Sequence, residues 1–292
     1  MSDLLLSGAS VPVSVVIPCY CCDGTIERAL DSVVFQTSLP KEVILVEDGS
    51  PDGGRTLNCL LQAQKKYAKK FSIQVIPLEV NQGAAAARNC GWQASSQPYI
   101  AFLDADDAWH PRKLEYQFEY MESHPEVALT GHGYQIGAEL PHRVADDIDM
   151  PINTKRITSI HLLLSNTLVT PSVMLKADIP FHFRDGQRYV DDHLLWLEIV
   201  LSGLPAVKFD APLALIFKAM YGEGGLSSNL WAMEKAELGN YWYLYRERLI
   251  GLSAVLGLTA FSFAKYMRRL SIVGFRYLRK PADNNKKIAG LL

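Results

Sequence analysis

The sequence predicts an α/β protein with a mostly parallel central sheet flanked by helices on both faces. Short β-branched apolar runs alternate with helical stretches along residues 13–109, and three of those runs end in a polar or acidic cluster. Size supports the prediction, since 292 residues with 49% apolar side chains and a formal net charge of -2 suit a large globular domain with an appendage. Disordered and collagen-like classes are excluded.

In order, residues 13–17 form an apolar run closed by Pro18, and Thr25 opens a helical pattern with Ile26, Leu30, Val33 and Val34 on one face. Residues 42–46 repeat the strand signal and end in Glu47, Asp48, Gly49 and Ser50, after which residues 54–70 read as helix. Ile73 to Ile76 is a third strand, followed by Asn81, Gln82, Gly83 and a small-residue helix from Ala84 to Ala94. The fourth run, Tyr99 to Leu103, feeds directly into Asp104, Ala105, Asp106, Asp107, Ala108 and Trp109.

Ligands of such sheets bind at the carboxyl ends of the strands, so residues 18–20, 47–50 and 104–107 are expected to open on one crevice. Acids packed as tightly as Asp104, Asp106 and Asp107 repel one another unless a cation joins them, and Mg²⁺ or Mn²⁺ prefers oxygen ligands. The residues alone leave a second reading, a solvated turn capping the next helix, because Asp is a good N-cap and Pro111 suits a first turn. Asp48 reads as an acceptor for a base or ribose, or as an Asx-turn before Gly49. Arg88, near a helix start, reads as a phosphate contact or a plain surface residue. No G-x-G-x-x-G follows the first strand and no G-x-x-x-x-G-K-S/T occurs, so dinucleotide and P-loop modes lack support.

Four motifs in order carry a resemblance: Val15 to Tyr20, Val46 to Ser50, Asn81-Gln82-Gly83 with Ala87-Arg88-Asn89, and Phe102 to Asp107. Together they resemble glycosyltransferase family 2, of GT-A (Rossmann-like) fold. The resemblance implies an inverting, metal-dependent transferase that uses a nucleotide-diphosphate sugar, most often a UDP-sugar, with Mg²⁺ or Mn²⁺ as cofactor. By position, Pro18, Tyr20, Asp48 and Arg88 match the nucleotide contacts. Asp106 matches the main metal ligand, with Asp104 and Asp107 as ribose contact or second ligand. Further on, Asp191-Asp192 before an aromatic-bearing helix resembles the family's acidic pair, whose second member, Asp192, would be the general base. Cys21 stands where the family commonly has Asn, and Glu47 where Asp is frequent. The glycine-rich segment 218–228 reads as a lid without the family's usual histidine, with Lys218 as a diphosphate contact, or as a surface loop of no catalytic role.

The residue types also allow plainer roles: Asp191 and Asp192 as helix caps, and His193 as a structural histidine. Residues 132–157 read as a solvated loop, and 171–175 as an edge strand. The expected division is a catalytic domain over residues 1–225 and a helical extension over 226–292. Residues 265–292 carry eight basic side chains against Asp283 alone, giving a +7 tail on a -9 remainder. Residues 263–287 are expected to form a basic amphipathic helix fit for an anionic membrane surface, or to pack on the body. The 16-residue charge-free run 249–264 is short for a spanning helix. The first six residues lack a signal pattern and the five cysteines lack disulfide or zinc spacing, so the expected setting is the cytoplasm, peripheral to the inner face of a membrane. Nucleic acid is not an expected partner.

The implied reaction moves a sugar to a hydroxyl of a glycan or lipid-linked glycan, as in bacterial surface polysaccharide assembly. A sugar-nucleotide nucleotidyltransferase is one alternative; it would need a glycine-rich basic loop after strand one, where residues 18–28 hold only Gly24. A non-catalytic nucleotide-sugar binder is another, keeping Asp48 and Asp106 with no need of Asp192.

Overall fold

The computed structural model describes residues 10–137, 152–217 and 229–279, with side chains described up to residue 271. The chain divides into two units, residues 1–219 and 220–292. The boundary expected at 225 falls in residues 218–228, outside the described part, as do Lys218 and the expected lid.

The first unit opens with β1 (Ser10–Cys19), α1 (Ile26–Val34), β2 (Leu39–Asp48), α2 (Arg55–Tyr67), β3 (Ser72–Leu78), α3 (Ala84–Ala94) and β4 (Tyr99–Phe102). These four strands pair in parallel in the order β3-β2-β1-β4. Strand period sorts the side chains: Val15, Ile17, Val43 and Leu45 join the core with Ile26, Leu30 and Leu60 of α1 and α2, while Ile44 and Val46 face Ala87 of α3. Helix α3 lies close enough to the sheet that a Cβ on Gly91 would sit 2.4 Å from Val16 Cγ1.

The second half of the sheet is mixed. It comprises β5 (Ala108–Trp109), β6 (Leu129–Ile136), β7 (Thr154–Arg156), β8 (Met174–Lys176) and β9 (Ala206–Ile216), with helices α4 (Lys113–Ser123), α5 (Ser159–Leu164) and α6 (Asp191–Leu201). The path continues β4-β8-β6-β9-β5, with β7 on β9; β6 is parallel to β9 and the remaining pairs are antiparallel. Strand β8 is antiparallel to both β4 and β6, so the segment expected at an edge lies inside the sheet. Of the expected solvated loop, residues 132–136 belong to β6 and 154–156 to β7, while 138–151 lie outside the described residues. The polar composition there misled because the strands are short and only partly covered: β7 is exposed throughout, and the far end of β6 opens to solvent.

The described residues of the second unit form a pair of helices, α7 (Leu230–Arg246) and α8 (Leu252–Arg279). Tyr241, Leu244, Val255 and Leu258 are buried, and Lys265 Nζ donates to Glu237 Oε1 at 2.8 Å. Among the described residues no helix is long and apolar enough to cross a membrane.

Candidate active site

The carboxyl ends of β1, β2 and β4 meet at one edge of the sheet, as the alternation required. After β1, Tyr20 is 48% exposed and Cys21 takes a left-handed φ of 47°. Cys21 N–H donates to Ser50 Oγ at 3.0 Å, and Ser50 N–H donates to Glu47 Oε1 at 2.7 Å, so the loops after β1 and β2 are stitched together.

At the end of β2, Asp48 is only 3% exposed. Its carboxylate accepts from Asn81 Nδ2 at 2.9 Å and from the N–H groups of Gln82 and Gly83 at 2.7 and 2.9 Å. The acid thus fixes the 81–83 loop that starts α3. Gly49 makes the turn at φ 59°, where a Cβ would stand 2.5 Å from the Val80 carbonyl carbon.

Arg88 is buried and not the plain surface residue that its place on α3 also allowed. Its side chain is 8% exposed; Nη2 reaches Asp104 Oδ1 at 2.7 Å and Nη1 reaches Asp191 Oδ2 at 3.3 Å. Burial would lower its pKa, but Asp104 and then Asp191 outweigh that and raise it, so the cation is fixed. The strand-end acids and the acidic pair, far apart in sequence, are therefore joined through one guanidinium. Asn89, next along α3, clamps the segment before α6 by donating to Phe183 O at 2.7 Å and accepting from Phe183 N at 3.0 Å.

The three acids after β4 do not gather into one ligand set. Among the described residues no group of three His, Cys, Asp or Glu side chains is placed to hold a metal. Repulsion is relieved otherwise: Arg88 neutralises Asp104, and buried Asp107 accepts from Phe217 N–H at 3.3 Å through Oδ1. Asp106 stays half-buried at the strand end, its main-chain carbonyl accepting from Arg28 Nη2. Arg28 also covers the Phe217 ring at 3.7 Å, a role that no motif in the sequence signalled.

Helix α6 begins at the acidic pair, after Val190 in a left-handed conformation of φ 55°. That is strained backbone for a β-branched residue, and such strain concentrates at functional sites. Burial raises Asp191 to about 6, partly offset by Arg88. Burial also raises Asp192, against the lowering effects of Arg88, its bond from His193 N–H at 2.7 Å and the Thr170 hydroxyl at 3.1 Å. The His193 imidazole bonds Leu162 O at 2.7 Å, the structural role. Thr170 and Arg28 were both missed by sequence reasoning.

A half-parallel α/β sheet whose strand ends present acids to an acidic helix start defines a GT-A type transferase scaffold. The model of Glycosyl transferase family 2 matches residues 14–176, and the chain belongs to that family. TuaG of Bacillus subtilis, assigned by its name to teichuronic acid biosynthesis as a glycosyltransferase, is 31% identical over 80% of this chain and 87% of its own length. The Escherichia coli UDP-Glc:alpha-D-GlcNAc-diphosphoundecaprenol beta-1,3-glucosyltransferase WfaP is 29% identical over 66% of this chain and 72% of its own. Among solved structures, S. aureus TarS 1–349 in complex with UDP-GlcNAc covers 92% of this chain and 76% of its own, with a TM-score of 0.66 and 18% identity. The mannosyltransferase PcManGT from Pyrobaculum calidifontis, in complex with GDP-Man and Mn²⁺, covers 92% and 81%, with a TM-score of 0.57 and 16% identity. These two likenesses establish the fold.

Proposed function

We propose that the chain transfers a sugar, with inversion, from a nucleotide-diphosphate sugar to a hydroxyl of a glycan or lipid-linked glycan in bacterial surface polysaccharide assembly. The observation that carries this reading is the Arg88 bridge, which ties the acids after β4 to the acidic pair of α6 at one sheet edge. The relatives named above supply the polysaccharide and lipid-linked context and suggest UDP as the nucleotide. Pro18 and Tyr20 stand at the open mouth as nucleotide contacts. Asp48 and Arg88, held inside the protein, support that site by fixing its loops.

Asp192 takes the proton of the acceptor hydroxyl as its oxygen attacks the anomeric carbon; the carbon–oxygen bond to the diphosphate breaks, and the nucleoside diphosphate leaves with the electron pair. Burial raises its pKa above the ordinary carboxylate value, and its two fixed hydrogen bonds aim the carboxylate. The donor set is chemically suited to Mg²⁺ or Mn²⁺: carboxylate oxygen from Asp106, with Asp104 adjacent and already charge-balanced by Arg88. Held by Asp106, such an ion would supply positive charge to the leaving diphosphate.

The test is incubation with Mn²⁺, UDP-glucose, UDP-N-acetylglucosamine and other nucleotide sugars, with hydroxyl acceptors, measuring free nucleoside diphosphate. Its release, lost in Asp192→Asn while donor binding persists, is the expected result. Pyrophosphate release would instead establish a nucleotidyltransferase, and binding without turnover a sensor.

The same reading places the enzyme on an anionic membrane surface. On α8, Leu252, Leu256, Phe263, Met267 and Leu270 are exposed along one stripe, while Val255, Leu258 and Ser262 on another face are buried. The basic residues of 265–292 follow in sequence. Co-sedimentation with phosphatidylglycerol vesicles, reduced in Phe263→Glu and by salt, is expected; equal binding to neutral vesicles, or none, would refute it.

A further inference from the structure

We propose that Thr170 is a positioning residue for the general base, an assignment that rests on the reading of Asp192 above. Residues 170–172 form a tight turn immediately before β8, and all three are buried. The Thr170 hydroxyl donates to Asp192 Oδ2 at 3.1 Å, while Oδ1 accepts from His193 N–H at 2.7 Å. Each oxygen of the carboxylate is therefore held from a different element, one from its own helix and one from the turn before β8.

The turn itself is anchored from the segment that follows the strand-end acids. Trp109 Nε1 donates to Pro171 O at 2.8 Å, and Gln117 Nε2 donates to Ser172 O at 3.0 Å. Ser172 Oγ closes the turn on Val169 O at 2.7 Å. Trp109 lies five residues after Asp104 on β5, and Gln117 lies on α4. The base is thus referenced to the same stretch of chain that carries Asp104 and Asp106. A donor held at those acids and an acceptor activated at Asp192 share one rigid frame, which is what in-line displacement demands.

A hydroxyl bonded to a carboxylate favours its ionised form. Around Asp192, Arg88 acts in the same direction as Thr170, Asp104 and Asp191 act against it, and His193 turns its ring to Leu162 O. Losing the hydroxyl therefore shifts the acid limb of kcat/KM to higher pH. A bond to a charged group of this kind corresponds to about a tenfold loss on that limb. Thr170→Ser keeps the donor and is expected to restore the limb.

The experiment compares wild type, Thr170→Val, Thr170→Ser and Trp109→Phe in nucleoside diphosphate release from UDP-sugars with Mn²⁺ from pH 5 to 9. Thermal melts check folding, and ¹³C NMR titration of the Asp192 carboxyl, assigned with Asp192→Asn, needs no turnover. Thr170→Val is expected to move both the limb and the carboxyl titration upward, with Thr170→Ser near wild type. Trp109→Phe, which retains the hydroxyl and frees the turn, is expected to lower kcat with donor KM unchanged. An unmoved carboxyl titration in Thr170→Val overturns the assignment even if Asp192→Asn is inactive; wild-type turnover in Asp192→Asn overturns the base itself. If Thr170→Val does not fold, a Trp109→Phe kcat equal to wild type overturns it.

Discussion

Replacing Arg88 by Met removes a group that bridges Asp104 and Asp191. The guanidinium meets Asp104 at 2.7 Å and Asp191 at 3.3 Å, with side-chain exposures of 8% for Arg88, 13% for Asp191 and 30% for Asp104. The contacts are worth about 5–6 kcal/mol each at an effective dielectric near 20, set against several kcal/mol for desolvating the guanidinium. Breaking a buried pair costs about 3–5 kcal/mol, and because Asp104 is about a third open to water the lower figure, about 3 kcal/mol, applies here. The loss is expected to depend on pH. Asp191 is raised to about 6 in the folded protein, above its ordinary 3.8, so its contribution to stability is fully present below about pH 4 and is lost as pH rises through 6. Without Arg88 the folded value climbs further, so that loss deepens toward alkaline pH. Urea unfolding at pH 5 and pH 8 measures this: Arg88→Met should fall furthest below wild type at pH 8, and Arg88→Lys should lie between, since an ammonium lacks the fork that reaches both acids. A deficit under about 1 kcal/mol at pH 8, or one equal at both pH values, would refute the bridge as the element that holds the site together.

Three further outcomes are expected. Gly49→Ala forces a Cβ against the Val80–Asn81 backbone in a left-handed turn, so it should cost about 2–3 kcal/mol and raise donor KM by loosening the loop that Asp48 holds; a near-wild-type melt would contradict this. Cys21→Asn places at φ 47° a residue that tolerates it, and should stabilise the protein by about 0.5–1 kcal/mol in the same melt. Asp106→Ala should abolish the Mn²⁺-dependent part of turnover, read as nucleoside diphosphate release against metal concentration; unchanged metal dependence would move the ligand elsewhere.

Much of the fold was legible because its first half is built from local signals. β1 to β4 are apolar runs of strand length with helical stretches between them, and that alternation fixes a parallel sheet and the edge where its ligands bind. The acidic and polar strand ends marked the site, and the motif order marked the family. The second half was less legible because β8 is three residues long and β7 is fully exposed, so neither carries a burial period. What the sequence alone determined was therefore which strand ends share one side of the sheet, those after residues 17, 46 and 103, and that polar and acidic side chains stand there. What only the tertiary structure decided was which charges meet. Arg88 and Asp191 lie 103 positions apart, and Thr170 and Asp192 lie 22 apart on different elements. Pairings of that kind depend on how sheet and helices pack, and no spacing within a single element encodes them.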